Sequence, residues 1–407
     1  MHSVAQFYQD CLSVAQQQPP LDMLLADAMG CILAEDVVAP FNHPIVNVAA
    51  CDGYAVVASD IASAAASPVS LRVTAEVASG STQALELTPG TAVRIGSGAP
   101  LPSGADVVIP LALADLKETV VVISRPWALG TNVRSKAEDF VAGEPVLRAG
   151  TRLGPVQIAA LAAVGRARVV VHPNPRVVIL SIGDELVEPG VPPHPGTVFD
   201  TNGHMLAAAA NEVGVETYRV AAVPDDAQRL KNLIEDQLMR ADLIITTGGL
   251  SFGSGDTVRQ VLEELGDVAF ERVAIRPGNM LGVGTVGEEF GRAVPVYCLP
   301  GDPVAAQVCF EVFVRPALRK MQGWTKLNRA AVRGVVDRSF ASPAGIREFI
   351  RVRLTGSPRE GYTATVVGEP EALWLSALAT SNALAVIPEE VEEVSAGDQV
   401  TCLLLEQ

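Results

Sequence analysis

Three times between residues 177 and 314 the chain repeats one pattern, a short apolar run rich in β-branched residues followed by a turn of glycine and acidic residues. The runs are Val177-Val178-Ile179-Leu180, Leu243-Ile244-Ile245-Thr246 after Asp242, and Val294-Pro295-Val296-Tyr297-Cys298-Leu299. Runs of this length and composition are expected of strands covered on both faces. Ser181, Ile182, Gly183, Asp184, Glu185 and Leu186 follow the first, and Pro300, Gly301, Asp302 and Pro303 follow the third. After the second come Thr247, Gly248, Gly249, Leu250, Ser251, Phe252, Gly253, Ser254 and Gly255, and then Asp256 and Thr257 open a helical pattern through Val258, Val261, Leu262 and Leu265. Another apolar helix spans 304–314. Strands alternating with helices predict a parallel sheet, and such sheets hold ligands at the carboxyl ends of their strands.

All three glycine-bearing loops would then line one crevice. Glycines let backbone N–H groups approach an anion, so 247–257 is a candidate phosphate cradle; the alternative is a tight turn with Asp256 as a plain N-cap. The glycine spacing matches neither a dinucleotide fingerprint nor a P-loop, which argues against a nicotinamide-dependent dehydrogenase. Asp184, Glu185, Asp256 and Asp302 fall in the crevice, with Asp225 and Asp226 joining from a helix start after Pro224. Carboxylates beside phosphates require a hard cation such as Mg²⁺ between them. Arg276, Pro277, Gly278 and Asn279 supply a cationic turn near the strand ends. At Asp200, Asp225 and Asp226 helix capping is the first reading and ligation the second.

A chain of 407 residues exceeds what one core usually serves. A net charge of −16 without basic runs argues against nucleic-acid binding. Six cysteines without Cys-x-x-Cys or zinc-ligand spacing point to reduced thiols and a cytoplasmic protein. No apolar stretch approaches the roughly 20 residues a membrane helix needs. Cys51 beside Asp52 lacks a neighbouring His to activate it, and His43 lacks a second metal ligand.

Val4, Phe7, Tyr8, Cys11, Leu12 and Ala15 predict an amphipathic helix over 3–15. A second helix is predicted over 21–29, stopping at Gly30. Residues 69–77 alternate cleanly, as a half-buried antiparallel strand would, and β runs follow at 92–95, 107–111 and 120–123. Asn132, Arg134, Lys136, Glu138 and Asp139 form a mixed-charge loop, read as solvated surface. A helix over 155–164 and a strand over 167–171 precede the α/β region. After Trp324, β runs at 331–336, 348–354, 362–367, 383–387 and 400–405 predict a second all-β domain.

Asp52-Gly53-Tyr54-Ala55, Glu138-Asp139, Ser181 with Gly183-Asp184-Glu185-Leu186, Asp200 with Asn202, Pro224-Asp225-Asp226, Gly248-Gly249 with Ser251, Gly253 and Asp256, Pro277-Gly278, and Leu299-Pro300-Gly301 with Pro303-Val304 occur in a fixed order. In that order and spacing the chain resembles, nearly end to end, the molybdopterin molybdenumtransferases, the MoeA-type proteins that include the E domain of gephyrin. The resemblance implies a multidomain α/β plus β fold. A central doubly wound α/β domain of the molybdopterin-binding type (174–324) would be flanked by a small β domain (41–139) and a C-terminal β-barrel-like domain (325–407). A discontinuous helical and linker domain would be built from 1–40 and 140–173. An elongated homodimer with its active site between subunits is implied.

The implied reaction joins molybdate to adenylylated molybdopterin with release of AMP, assisted by Mg²⁺. Asp52, Asp139, Glu185, Asp225 and Asp256 would be catalytic, with Glu185 and Asp256 on the metal and Asp52 and Asp139 approaching from the other subunit. Ser181, Gly183, Asp184, Gly248, Gly249, Ser251, Gly253, Arg276, Pro277, Gly278, Pro300, Gly301 and Asp302 would hold substrate. Molybdoenzyme apoproteins and the adenylyltransferase of the pathway are implied partners. The chain departs from the family where Arg276-Pro277-Gly278-Asn279-Met280 replaces Lys-Pro-Gly-Lys-Pro, where Asp302 and Ala305 replace Asn and Ser, and at Lys136-Ala137 and Ile182. The Ser-Gly expected before Leu375 is missing. Most of these changes weaken anion binding, which keeps a second reading in play: a paralogue that binds or delivers the pterin cofactor without inserting metal.

Overall fold

The computed structural model describes residues 1–250 and 257–405, which form two compact units. One unit contains Asp22–Met29 and Leu33–Val170; the other contains Met1–Leu21, Gly30–Ile32 and Val171–Gln407.

The first unit is built on a six-stranded sheet. Gly53–Val56 lies between Val107–Pro110 and Thr91–Ile95, and Val69–Val77 lies between Thr91–Ile95 and Val120–Ile123. The pairing of Val69–Val77 corrects the sequence expectation on one side: it is antiparallel to Val120–Ile123 but parallel to Thr91–Ile95, with a register shift between Val73 and Ala75. Inward residues such as Tyr54, Val56, Leu71, Ile109 and Ile123 make its core. Pro145–Leu147 pairs with Val37–Val38, so the chain closes on itself where it enters and leaves the sheet.

The helix predicted over 21–29 is absent. Leu21–Leu24 is a strand followed by a turn, its backbone continuing as Leu25 N–H donating to Ala167 O and its Asp22 carboxylate accepting from Arg168 at 2.8 Å. The apolar spacing that suggested a helix faces no core: Leu24 and Met29 are half-exposed. Pairing with a neighbouring segment overrode local propensity.

The second unit opens with the helix Val4–Val14, capped by Ser3 in a reciprocal box with Gln6. Phe7 meets Phe313 edge to face at 5.0 Å, and the Tyr297 hydroxyl donates to Cys11 O at 2.6 Å. Behind them stands a six-stranded sheet ordered Glu216–Val223, Arg176–Ile182, Leu243–Thr247, Val294–Leu299, Met280–Val286, Gly266–Arg272. The first four strands are parallel, as predicted, and the last two are antiparallel additions on one edge. Helices cover both faces, and the strand alternation shows it. Val177, Ile179, Leu243, Ile245, Tyr297 and Leu299 pack toward the helices Val4–Val14 and Thr201–Val213. Val178, Leu180, Ile244, Val296 and Cys298 pack toward Ala227–Leu238 and Thr257–Leu265. Each such side chain contributes about 1.5–3 kcal/mol on burial, so the strand ends are held firmly.

The helix expected over 304–314 runs on to Met321. Pro303–Cys309 passes into a π-helical turn at Phe310–Val314 and resumes as Arg315–Met321, the wider turn lying just before Pro316, which lacks a backbone donor. Beyond it Ala331–Val336, Arg347–Ser357, Gly361–Val366, Ala383–Ile387 and Gln399–Leu404 close into a five-stranded barrel, because Arg347–Ser357 pairs with both Gly361–Val366 and Ala383–Ile387. One outer strand, Ile275–Arg276, adds to this barrel in parallel with Arg347 and Glu348. That short pairing carries Arg276 from the α/β sheet onto the barrel wall.

Candidate active site

The register of the parallel strands sets Ser181 beside Thr247 and Thr247 beside Leu299, so the three glycine loops leave the sheet in one row. A cavity of about 100 Å³ opens there, lined by Ser181, Ile182, Glu185, Asp200, Asn202, Thr247, Gly248, Gly301 and Pro303 among others. Backbone packs closely enough across it that side chains are excluded. A Cβ on Gly248, which has φ +85°, would stand 2.3 Å from the Ile182 carbonyl oxygen, and one on Gly301 would stand 3.4 Å from Gly248 Cα. At Gly183 the neighbour is a side chain: a Cβ would fall 2.6 and 2.7 Å from the two carboxylate oxygens of Glu185, which lies over it and would have to swing aside.

Asn202 stitches the row together. Its side-chain amide donates to Thr247 Oγ1 and to Gly301 O, both at 2.8 Å, while Thr247 Oγ1 donates to Pro300 O at 2.8 Å. Asp200, which is buried, caps the helix Thr201–Val213 by accepting from Gly203 N–H at 2.8 Å and also takes a 3.0 Å bond from Arg219. Arg219 in turn grips Glu188 through two bonds of 2.8 Å, an interaction that holds the Glu188 carboxyl below its ordinary range. Asp200, Asn202 and Thr247 thus belong to the site's framework, and the sequence reading, which saw the first two chiefly as a helix start, undervalued them. The signal available was the polar pair opening a helix directly after a loop of the crevice.

The floor of the cavity is left short of partners. Ser181 Oγ and Asn202 Oδ1 are buried without a hydrogen bond among the described residues. Buried polar atoms are almost always satisfied, so two orphans lining one cavity mark where a polar ligand fits. Glu185 is exposed at the rim, and its carboxylate has no bonded partner among the described residues. Asp184 accepts from the Asp225 N–H at 3.0 Å, tying two loops, and Asp226, not Asp225, caps the helix Ala227–Leu238. Asp302 caps Pro303–Cys309 by accepting from Ala305 N–H at 2.9 Å. The predicted site residues Ser251, Gly253 and Asp256 lie outside the described residues.

Pro277 and Gly278 reach the same edge. A Cβ on Gly278 would stand 2.9 Å from Pro300 Cγ and 3.0 Å from Ala305 Cβ, so this turn abuts the Pro300-Gly301 loop. Arg276, one residue earlier, has a partly exposed guanidinium whose Nε is 3.4 Å from Glu348. Arg351, buried on the barrel strand, interacts electrostatically with Glu348, Arg276 and Asp302. It was not foreseen, because nothing in a barrel sequence announces which arginine faces another domain's loops.

Asp52 and Asp139 belong to the other unit. Asp52 accepts from the Ser97 N–H at 2.7 Å, and Asp139 is exposed on the turn whose N–H groups return to His43 O. Among the described residues no two cysteines form a disulfide. Burial and the neighbouring Asp52 push the Cys51 thiol up, the wrong direction for a nucleophile. Among the described residues no group of three or more His, Cys, Asp or Glu side chains converges to hold a metal by itself, and no helix is long and apolar enough to cross a membrane.

Comparison with known proteins accounts for the whole length. Residues 2–165 match the MoeA N-terminal region (domain I and II), 178–320 a probable molybdopterin binding domain, and 333–405 the MoeA C-terminal region (domain IV). Molybdopterin molybdenumtransferase 2 of Mycobacterium tuberculosis is 37% identical over 98% of both chains. The chain belongs to the molybdopterin molybdenumtransferase family. Another member, from Haemophilus influenzae, is 32% identical over 93% of this chain and 92% of its own. The crystal structure of a molybdopterin biosynthesis MoeA protein from Pyrococcus horikosii superposes with a TM-score of 0.80 at 30% identity, covering 100% of this chain and 99% of that one. The α/β domain with its flanking β regions and C-terminal barrel is therefore the family fold, as the sequence motifs implied.

Proposed function

We propose that this enzyme transfers molybdenum from molybdate to adenylylated molybdopterin, releasing AMP, at the carboxyl edge of the parallel strands. Membership of the family makes it a transferase of molybdenum cofactor biosynthesis; the particular substrates and the residue roles are our reading. The observation that carries it is the pair of orphaned atoms, Ser181 Oγ and Asn202 Oδ1, beside a cradle that only glycine fits and a rim carboxylate, Glu185, with no bonded partner among the described residues. A phosphorylated ligand fits the cradle and accepts from the Ser181 hydroxyl, an N–H or O–H donor on the same ligand meets Asn202 Oδ1, and a cation between phosphate and Glu185 meets the carboxylate.

The donor set fits Mg²⁺, which keeps water and phosphate oxygens as ligands and needs only one or two carboxylates. Glu185 and Asp256 would hold it, and when bound it supplies charge neutralisation at the pyrophosphate. The chain's own contribution is positional. Backbone around Gly248, Gly249 and Gly301 admits the phosphates without steric conflict, and Ser181 and Asn202 fix the ligand's register. Arg276, with Arg351 behind it, offers positive charge to molybdate, so the attacking oxyanion is drawn to the edge where the phosphates sit. In a homodimer, Asp52 and Asp139 of a second copy would complete the site, and the product would pass to molybdoenzyme apoproteins in the cytoplasm. The carrier reading is not favoured, since every relative reported above bears the name of an enzyme or of a biosynthesis protein.

The test is transfer in vitro with purified protein, adenylylated molybdopterin, Mg²⁺ and molybdate. AMP release with formation of active cofactor, lowered on the order of 10²–10³-fold in Glu185→Ala and Asp256→Ala, is expected. Tight pterin binding without AMP release at high molybdate would sink the reading.

A further inference from the structure

Glu348 is a poorly satisfied charge beside the site. It is 1% exposed, its Oε2 is buried without a well-formed hydrogen bond among the described residues, and its Oε1 makes the loose 3.4 Å approach to Arg276, with the Ser342 hydroxyl also acting on the carboxylate. Register fixes this contact, because Arg276 and Glu348 are paired residues of parallel strands. Arg351 is equally short of partners on this side: its Nη2 donates to Glu369 O and Ala372 O at 2.7 Å, but its Nε is buried and unbonded. The remaining groups facing Glu348 are Ser342 and Glu371, and Asp302 faces Arg351. Formal charge in this cluster already leans negative while it is empty, with Arg276 and Arg351 against Glu348, Glu371 and Asp302. A tetrahedral dianion docked on Arg276 adds to that excess inside a poorly solvated pocket, where like charges repel strongly.

We propose that Glu348 is a positioning residue that compensates charge: it steadies Arg276 in the empty pocket and takes a proton from water on Oε2 when an oxyanion docks on that arginine. The inference rests on the reading of Arg276 as an oxyanion contact. Burial already pushes the Glu348 carboxyl up against the lowering pull of the Ser342 hydroxyl, Arg276 and Arg351. An added dianion moves it further in the same direction. Between its values in the empty and filled pockets, binding takes up a proton, and affinity falls as pH rises.

The test uses the intact protein and sodium molybdate alone, titrated calorimetrically from pH 6 to 8 in buffers of different ionisation enthalpy. Uptake of up to about one proton per anion is expected, with affinity falling by as much as about tenfold per pH unit within the window. Glu348→Gln, nearly isosteric, should bind without proton uptake and with a flat pH profile, and Glu348→Asp should restore the uptake. Proton-neutral binding by the wild type, uptake persisting in Glu348→Gln, or no molybdate binding at all each overturns the proposal. A parallel transfer assay separates the two ideas. AMP release with proton-neutral molybdate binding removes the role of Glu348 and leaves the enzyme reading intact. Coupled uptake without AMP release does the reverse.

Discussion

Two buried ion clusters lie in the same unit, each made of two arginines around one sequestered glutamate, and they are finished to different degrees. In the first, Glu311 has both oxygens occupied, by Arg329 at 2.8 and 3.0 Å and by Gln307 at 3.1 Å, and surface Glu212 also meets the Arg329 Nη2 at 2.9 Å. What is left short there lies on the arginines, at Arg329 Nη1 and on Arg315, which burial and Arg329 pull down to about 10. In the second, Glu348 holds one loose contact and one bare oxygen, beside a partly exposed Arg276. Burying an ion pair is costly, and a cluster that ties down its carboxylate offsets the cost internally. One that leaves the carboxylate bare, next to a cavity with further orphaned atoms, is built for a partner that arrives later. Incomplete satisfaction, more than burial or charge, separates the working cluster from the scaffolding one.

The largest effect should come from breaking the finished cluster. Arg329→Ala leaves Glu311 with Gln307 and a guanidinium 3.8 Å away, and should cost about 3 kcal/mol or more in urea denaturation while leaving the activity of the folded fraction unchanged. A proportional loss of kcat would erase the distinction between the clusters. Next is Gly248→Ala, where a left-handed backbone costs about 1–2 kcal/mol and the Cβ meets the Ile182 carbonyl. Here stability and kcat/KM should fall together, because the turn forms the cavity wall.

Asn202→Ala removes two 2.8 Å bonds at the seam of the loops and should cost about 1–3 kcal/mol by thermal denaturation, with a raised KM for the pterin substrate. The smallest stability effect belongs to Ser181→Ala. Its hydroxyl has no partner to lose, so stability should stay within about 0.5 kcal/mol while substrate KM rises; a clear destabilisation would mean the hydroxyl serves the fold. For Glu348 the sign is fixed by its raised carboxyl. The folded state binds the proton more readily than the unfolded one, so stability falls as pH rises from the unfolded value toward the folded one. Glu348→Gln should abolish that slope and melt slightly higher at neutral pH.

Much of this was legible before any coordinates. The apolar runs at 177–180, 243–246 and 294–299 read as interior strands because they are short, rich in β-branched residues and bounded by glycine turns, and in a parallel sheet those turns gather at one edge. The barrel strands were visible as well, from 331 to 405. The segment 21–29 failed because its leucines and Met29 have helical spacing but no core to face, and the partner that made a strand of it lies more than a hundred residues away. The strand at 69–77 was found, yet its alternation could not say that one neighbour would run parallel.

By itself, then, the sequence determined which residues are interior, where the loops carry glycine and carboxylate, and which family order they follow. Those are properties of local pattern and short-range sterics. Only the tertiary structure decided which polar atoms go without partners. Ser181 and Thr247 are both hydroxyls at strand ends, and Glu311 and Glu348 are both buried glutamates; their difference lies in partners supplied from distant strands and helices. Hydrogen-bond satisfaction is a sum over neighbours in space, and no window along the chain contains it.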